Sequence, residues 1–239
     1  YNITSVKNNL SYPHYTKEVL QVIKYCLFDN LSPEQTMIFR TPILNNLPIK
    51  KNPFLNEIEK SNVIFIEISS KKYYKYKELY THHILYDDNK YNKNKNDIET
   101  GTLTDKEIID DLREIMTLLH GKKIIFVGHL VTKKEGERYN LFTLIKDFCL
   151  KNKILFIDPM KELLEKELTI DEIIEDQNTH FAHYTQKGHE EILKIYEIRL
   201  FLWMKQYPNR FYLTPSLRGN TTLEFWQSSE KRTKKFLSL

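Results

Sequence analysis

The sequence predicts an α/β fold, a three-layer sandwich in which helices cover a mainly parallel sheet of about five strands. Short apolar runs alternate along the chain with segments of helical spacing, as in strands that are joined by helical crossovers. The apolar runs are continuous, as expected for strands that are buried on both faces. In chain order, strands are predicted at residues 2–6, 36–40, 63–68, 123–127 and 154–158.

The helices are predicted from apolar residues that recur three and four positions apart. The clearest segment spans residues 105–120, where Thr104 suits the N-cap and Gly121 ends the pattern. Residues 86–101 are polar and rich in Asn and Lys, and predict a mobile surface loop. Further helices are predicted at residues 14–28, 140–150 and 188–205.

This pattern predicts one α/β domain over residues 1–206 and a C-terminal extension over residues 207–239. The extension contains Trp226 and three phenylalanines, so we expect it to be packed rather than free. It would pack either on the domain or on a partner subunit, and in the second case the protein is a homo-oligomer.

Composition and charge exclude several classes of protein. Hydrophobic residues make up 41% of the chain and charged residues 28%, which is typical of globular proteins. The net charge of +4 is too small to indicate nucleic-acid binding. No apolar run approaches the roughly 18 residues of a membrane span and no signal-peptide pattern is present, so we expect a cytoplasmic protein. Two cysteines, Cys26 and Cys149, are too few for a disulfide framework or a cysteine-based zinc site.

Candidate substrate-binding residues follow from the predicted sheet. Ligands of open parallel sheets bind beyond the carboxyl ends of the strands. Glu67 interrupts a buried apolar run, and a buried carboxylate must be paired or must face such a crevice. The residues predicted to contact substrate at these strand ends are Arg40, Glu67, Ser69 and His129.

The segment before the last helix carries two histidines, His180 and His183, followed by Thr185 and Gly188. It resembles the last motif of the SGNH (GDSL-type) hydrolase superfamily, which has an Asp, a His three residues later, a Thr or Ser, a Gly and a closing helix. The order of elements over residues 63–205 is also similar. The resemblance implies an SGNH/flavodoxin-like fold and the hydrolysis or transfer of an acyl ester, with a carbohydrate as the substrate class.

The same resemblance implies three catalytic residues. His183 would be the general base, and His180 stands where the superfamily has its Asp. Ser5 follows the first predicted strand, in the place of the nucleophile. The chain departs from the superfamily because its Gly-Asp-Ser and Gly-x-Asn-Asp motifs are absent.

No cofactor and no metal site are predicted. The chain has neither a Gly-x-x-x-x-Gly-Lys nor a Gly-x-Gly-x-x-Gly motif, so nucleotide cofactors are not supported. His82 and His83 are adjacent, and neighbouring residues on a strand would point to opposite faces. No third ligand lies at a diagnostic spacing from His180 and His183.

We therefore predict an SGNH-like carbohydrate esterase or acyltransferase that acts on a carbohydrate or another small molecule. Two alternatives stay open. The first is a catalytically inactive relative that binds a glycan or a protein, which the missing nucleophile motif and the tyrosines and lysines of residues 71–86 favour. The second is a glycosyltransferase-like, glycan-building enzyme that uses the same crevice.

Overall fold

The structure, a computed structural model, describes residues 12–50, 52, 58, 60–91, 95–175 and 183–206, with side chains described as far as Leu202. The predicted strand at residues 2–6 and the predicted extension at residues 207–239 lie outside the described residues. Within the described part the chain divides into two compact units, one ending at Glu162 and the other beginning at Leu163.

Among the described residues, the strands all belong to the first unit. They are β1 (Val63–Ile68), β2 (Lys72–Tyr76), β3 (Leu79–Tyr80), β4 (Ile98–Thr102), β5 (Lys123–Gly128) and β6 (Leu155–Ile157).

The helices alternate with these strands. They are α1 (Thr16–Phe28), α2 (Arg40–Asn45), α3 (Ile84–Asp87), α4 (Asp105–Leu118), α5 (Gly136–Lys151), α6 (Pro159–Leu164), α7 (Ile170–Ile173) and α8 (Gln186–Gln206), with short 3-10 helices at Glu34–Ile38 and Lys95–Asp97.

A parallel sheet forms the centre of the first unit, with strand order β1-β5-β6. In its register Val63 lies opposite Lys123, and Ile125 lies opposite Leu155. Residues 124–128 of β5, the middle strand, are all buried, which explains its unbroken apolar run. The α/β class and the parallel pairing predicted for residues 63–68, 123–127 and 154–158 are confirmed.

The predicted number of strands is wrong for the described residues, where the parallel sheet has three strands. Residues 36–40 do not form a strand: a 3-10 helix occupies Glu34–Ile38, and α2 follows it. The Thr36 hydroxyl donates a hydrogen bond to the Pro33 carbonyl at 2.5 Å. Local side-chain hydrogen bonds of this kind favour a turn over a strand ladder, and the run between the two prolines is too short for periodicity to distinguish the two.

The loop predicted at residues 86–101 is also a partial error, because it contains the first part of β4. This strand pairs with β2 in a small antiparallel sheet of order β3-β2-β4. Ile98 is buried opposite Tyr76, while Glu99 and Thr100 are exposed. The strand therefore carries one apolar anchor among polar residues, and its composition alone resembles that of a loop.

The core of the first unit lies where α1 and α4 pack together against the strands. The Thr104 side chain caps α4 in a reciprocal capping box with Glu107, which confirms the predicted N-cap. Asp111 of α4 is buried and accepts hydrogen bonds from Thr16 and Lys17 of α1, each at 2.5 Å. These bonds fix the start of α1 relative to α4.

The second unit contains α7 and α8, which contact each other. An antiparallel bridge between Ile174 and Tyr184 closes the segment that joins them. Among the described residues, no helix is long and apolar enough to cross a membrane.

Candidate functional site at the carboxyl ends of the parallel strands

Glu67 and His129 form a hydrogen-bonded pair at the carboxyl ends of β1 and β5. Glu67 lies one residue before the end of β1, and His129 directly follows β5. Because Ile68 pairs with Gly128 in the parallel register, the two side chains leave the sheet at the same edge. His129 Nδ1 lies 2.7 Å from Glu67 Oε1. This carboxylate orients the imidazole.

His14 is held against the same strand ends by its backbone. Its carbonyl accepts hydrogen bonds from the amides of Ser69 and Ser70, each at 2.9 Å. Its amide donates to the buried carboxylate of Glu18 at 2.9 Å, in the first turn of α1. Its ring nitrogen Nδ1 lies 3.0 Å from the Ser69 hydroxyl oxygen. These bonds place His14 beside Ser69, directly after the carboxyl end of β1.

His82 and His83 reach the same place from the end of the small antiparallel sheet. The Tyr15 hydroxyl lies 2.8 Å from the Tyr74 carbonyl and 2.7 Å from the Thr81 carbonyl, which ties the residue after His14 to the residue before His82. The His82 amide donates to the Ile38 carbonyl at 3.1 Å. These bonds fix the peptide group that joins Thr81 to His82, at the start of the histidine pair.

The three imidazoles of His14, His82 and His83 form a cluster that we call the histidine cluster. One nitrogen from each ring contributes to a set whose atoms all lie within 4.8 Å of one another. The ring centroids are separated by 4.5 Å between His82 and His83, 4.7 Å between His14 and His83, and 5.1 Å between His14 and His82. Rings this close would repel one another strongly if all three were protonated.

Burial keeps two of these rings neutral. It lowers the pKa of His82 to about 2 and that of His14 to about 3, and the positive charges nearby act in the same direction. For His14 those charges are on His83, His129, Arg138 and Arg40. At neutral pH both rings therefore carry an uncharged nitrogen with a free electron pair.

His82 is the most constrained member of the histidine cluster. It is 2% exposed, and among the described residues its Nε2 has no partner at hydrogen-bonding geometry, although the Tyr12 backbone is close enough to raise the pKa of the ring. Its Nδ1 lies 3.3 Å from the Ile84 amide, at the long end of the hydrogen-bond range. A buried polar atom that lacks a partner costs about 1–3 kcal/mol, so this nitrogen indicates a site that a ligand would complete.

Charged and phenolic groups surround these histidines. Arg40 is the first residue of α2 and is close enough to lower the pKa of both His14 and His82. The negative charge of Glu67, and then burial, raise the pKa of Tyr12 to about 12, so Tyr12 stays a neutral phenol. Its ring packs edge-on against His14 at 5.5 Å between centroids.

The structure brings together the four residues predicted to contact substrate. Glu67 pairs with His129, Ser69 contacts His14, and Arg40 lies near the histidine cluster. Their contact with a substrate stays a prediction. Of the predicted catalytic residues, His183 lies in the second unit with an exposed side chain, and Ser5 and His180 lie outside the described residues.

The sequence-based reasoning did not assign the histidine cluster. The argument that adjacent histidines diverge was wrong for His82 and His83, because they follow β3 and precede α3 instead of lying in a strand. Adjacent side chains at the start of a helical turn can approach a common point. The doublet itself was a visible signal, but His14 is 68 positions earlier and only the tertiary fold brings it close.

Two residues of the segment that resembles the SGNH motif have structural roles in the second unit. The Thr185 hydroxyl accepts a hydrogen bond from the Gly188 amide at 3.0 Å, as an N-cap of α8 does. A Cβ on Gly188 would lie 2.5 Å from the Ile173 carbonyl oxygen, so only glycine fits there. Both residues are therefore explained by helix capping and packing.

Two other surface features of the first unit are formed by different residues. A groove of about 830 Å³ runs between the 3-10 helix at Glu34–Ile38 and the β2–β3 hairpin, and no predicted site residue in the described part lines it. The tyrosines that suggested a binding surface are partly core residues, because Tyr74 is buried. Tyr73 instead packs on Tyr80.

The strand-end site combines a carboxylate-oriented imidazole, a cluster of three imidazoles and nearby arginines. The first can move a proton, the second can donate electron pairs to a cation, and the arginines can stabilise developing negative charge. Comparisons with known protein families, with curated proteins and with solved structures find no match to this chain.

Proposed function

We propose that this protein is an enzyme that hydrolyses or transfers an acyl ester, and that the pair formed by Glu67 and His129 supplies its general base. The observation that carries the proposal is the 2.7 Å contact between His129 Nδ1 and Glu67 Oε1. A carboxylate in this position holds the ring proton on Nδ1 and leaves Nε2 to accept a proton from an attacking hydroxyl. An imidazole is suited to this step at neutral pH.

The location of the pair supports the same assignment. It lies at the carboxyl edge of a parallel sheet, where ligands of such folds bind. The His129 and Glu67 side chains are 20% and 36% exposed, so a substrate can reach them although they are partly shielded from water. Arg40 and Arg138 lie close to the neighbouring His14 and can stabilise negative charge on a carbonyl oxygen.

The proposed reaction uses His129 first as a base and then as an acid. Nε2 takes the proton of a water molecule, or of an acceptor hydroxyl in the transfer reaction, while the oxygen attacks the carbonyl carbon. The electron pair of the carbonyl moves to its oxygen. As it returns, the bond to the alcohol oxygen breaks, and His129 gives its proton to that leaving oxygen.

The identity of the substrate rests on the resemblance to the SGNH superfamily. That resemblance is the support for an acyl ester and for a carbohydrate as its carrier. It also supports Ser5 as a nucleophile, which would add a covalent acyl-enzyme to the scheme. Labelling by a fluorophosphonate probe distinguishes the two routes, because an activated serine is modified and a directly activated water is not.

Turnover of p-nitrophenyl acetate and of an acetylated oligosaccharide tests the proposal. We expect His129→Ala to lower kcat by at least about 100-fold, the usual scale for a general base. Glu67→Gln keeps the size of the side chain but removes its charge, and should also lower kcat. The matched control is His120→Ala, an exposed histidine just before the opposite end of β5, which should leave kcat unchanged.

Circular dichroism of each variant shows whether the fold is kept. Wild-type protein that turns over neither ester would contradict the proposal and favour the glycan- or protein-binding alternative. Equal turnover by the wild type, His129→Ala and Glu67→Gln would also contradict it.

A further inference from the structure

We propose that His14, His82 and His83 form a binding site for a divalent transition-metal ion, and that Zn²⁺ is the ion their chemistry fits best. The inference goes beyond the proposed ester chemistry and does not depend on it, because the binding of a metal can be measured without any substrate. It rests on the geometry of the three rings, on the groups that orient them and on the orphaned nitrogen of His82.

The three ring nitrogens are slightly farther apart than the ligand atoms of a bound zinc ion. The three ring nitrogens lie within 4.8 Å of one another. With Zn–N distances of about 2.0–2.1 Å, tetrahedral ligands lie about 3.4 Å apart. The ring nitrogens must therefore move towards one another by about an ångström to bind a single ion. His14 and His83 are only partly buried and can make these shifts by side-chain rotation, while His82 stays fixed.

The groups around the rings are those that orient metal-binding histidines. His83 Nδ1 lies 3.0 Å from the Asp87 carboxylate, and His14 Nδ1 lies 3.0 Å from the Ser69 hydroxyl. Metal-binding histidines usually donate their second ring N–H to a carboxylate, carbonyl or water, which fixes the ring and its tautomer. With Nδ1 engaged, Nε2 of each ring is the nitrogen left for a metal.

The orphaned atom is His82 Nε2, which is buried and has no hydrogen-bond partner among the described residues. A metal ion would satisfy it. Coordination through Nε2 places the ring proton on Nδ1 and gives up the contact with the Ile84 amide, which at 3.3 Å is a weak hydrogen bond. The change of tautomer therefore costs only one weak hydrogen bond.

Two carboxylates near the histidine cluster can balance the charge of a bound cation. Asp87 and Glu67 offset the positive charge that a metal would add near Arg40.

The donor set selects among metal ions. Three imidazoles suit Zn²⁺ and its transition-metal neighbours, whereas Mg²⁺ and Ca²⁺ require oxygen ligands. Three protein ligands also leave a fourth tetrahedral position for water or substrate, which is typical of catalytic and not of structural zinc sites. If the proposed function is right, such an ion would lower the pKa of a bound water beside the proposed base.

Metal titration of the full-length chain without an affinity tag, after dialysis against a chelator, tests the inference. We expect one Zn²⁺ per chain by calorimetry and the visible absorption of tetrahedral Co²⁺. His14→Gln and His83→Gln should each weaken binding by more than about 100-fold, and Asp87→Asn by about 10–100-fold, as for other outer partners of metal ligands. His120→Gln is the matched control and should bind as the wild type does.

His82→Gln is the most direct variant, but its buried position can make it unfold, so the His14 and His83 variants decide the outcome. Wild-type protein that binds neither Zn²⁺ nor Co²⁺ would overturn the inference, and so would binding that these two variants leave unchanged. His129→Ala separates this inference from the proposed function, because it should keep the metal while it loses ester turnover.

Discussion

Replacing Tyr15 by Phe tests how the residue next to His14 is tied to the residue before His82. Tyr15 is fully buried, and its hydroxyl lies 2.7 Å from the Thr81 carbonyl and 2.8 Å from the Tyr74 carbonyl. Burial raises its pKa well above the ordinary value, so it remains a phenol that can donate. Phenylalanine keeps the ring packing and removes only the oxygen.

The expected loss in the free energy of unfolding depends on which hydrogen bonds remain in Tyr15→Phe. The Tyr74 carbonyl still accepts a hydrogen bond from the Thr81 amide at 2.9 Å, whereas the Thr81 carbonyl loses its phenolic donor. The Tyr74 amide also loses the phenolic oxygen to which it donates at 3.3 Å, a weak hydrogen bond. A buried carbonyl without its donor costs about 1–3 kcal/mol, and the weak bond adds little to this. A loss of about 2 kcal/mol lowers a urea midpoint by about 1 M if the m-value is about 2 kcal/mol/M.

Urea unfolding followed by circular dichroism measures this loss. Tyr25→Phe is the matched control, since Tyr25 is equally buried on the same helix but its hydroxyl bonds to no other described residue. We expect the control to change the free energy of unfolding by less than about 0.5 kcal/mol. Equal midpoints for Tyr15→Phe and Tyr25→Phe would refute the structural role assigned to the Tyr15 hydroxyl.

Three further predictions concern the first unit. Asp111→Ala should lower the free energy of unfolding by about 3 kcal/mol, because it removes a buried carboxylate that accepts two hydrogen bonds. Asp110 is exposed, so Asp110→Ala should have little effect in the same urea unfolding experiment. Gly128→Ala should cost about 1–3 kcal/mol by the same measurement, since its Cβ would lie 2.4 Å from the Phe142 ring. Burial raises the pKa of Cys149 to about 12, so this thiol should resist alkylation by iodoacetamide at pH 8 until the protein is unfolded. Mass spectrometry locates the alkylated residue, and rapid alkylation of Cys149 in the native state would contradict this prediction.

The parts of the fold that the sequence predicted are those where local and tertiary signals agree. β5 is buried along its length and needed only an apolar run, and α4 carries a complete capping box with Thr104. Residues 36–40 and β4 were missed because short apolar or polar runs have no distinctive period. A local hydrogen bond from Thr36 to Pro33 favours the turn at residues 36–40, and pairing with β2 holds β4 in the small sheet.

The candidate site also contains residues that the sequence predicted and residues that it did not. Glu67, Ser69 and His129 were selected by one geometric rule, that ligands bind beyond the carboxyl ends of parallel strands. Arg40 was selected by the same rule from a predicted strand that does not form, and it lies near the histidine cluster at the start of α2 instead. The histidine cluster was not selected, because its members come from before α1 and after β3. Their proximity depends on Tyr15, which links those two segments, and no spacing in the sequence records such a link.

His129, oriented by Glu67, is the proposed base of an ester-cleaving or ester-transferring enzyme. A comparison of kcat/KM for His129→Ala and His183→Ala on the same acetylated substrate tests this assignment. The resemblance implies His183 as the base, whereas the hydrogen-bonded contact with Glu67 supports His129. We expect a loss of at least about 100-fold for His129→Ala and less than about tenfold for His183→Ala. Full activity of His129→Ala together with inactive His183→Ala would contradict the account and restore the base implied by the resemblance.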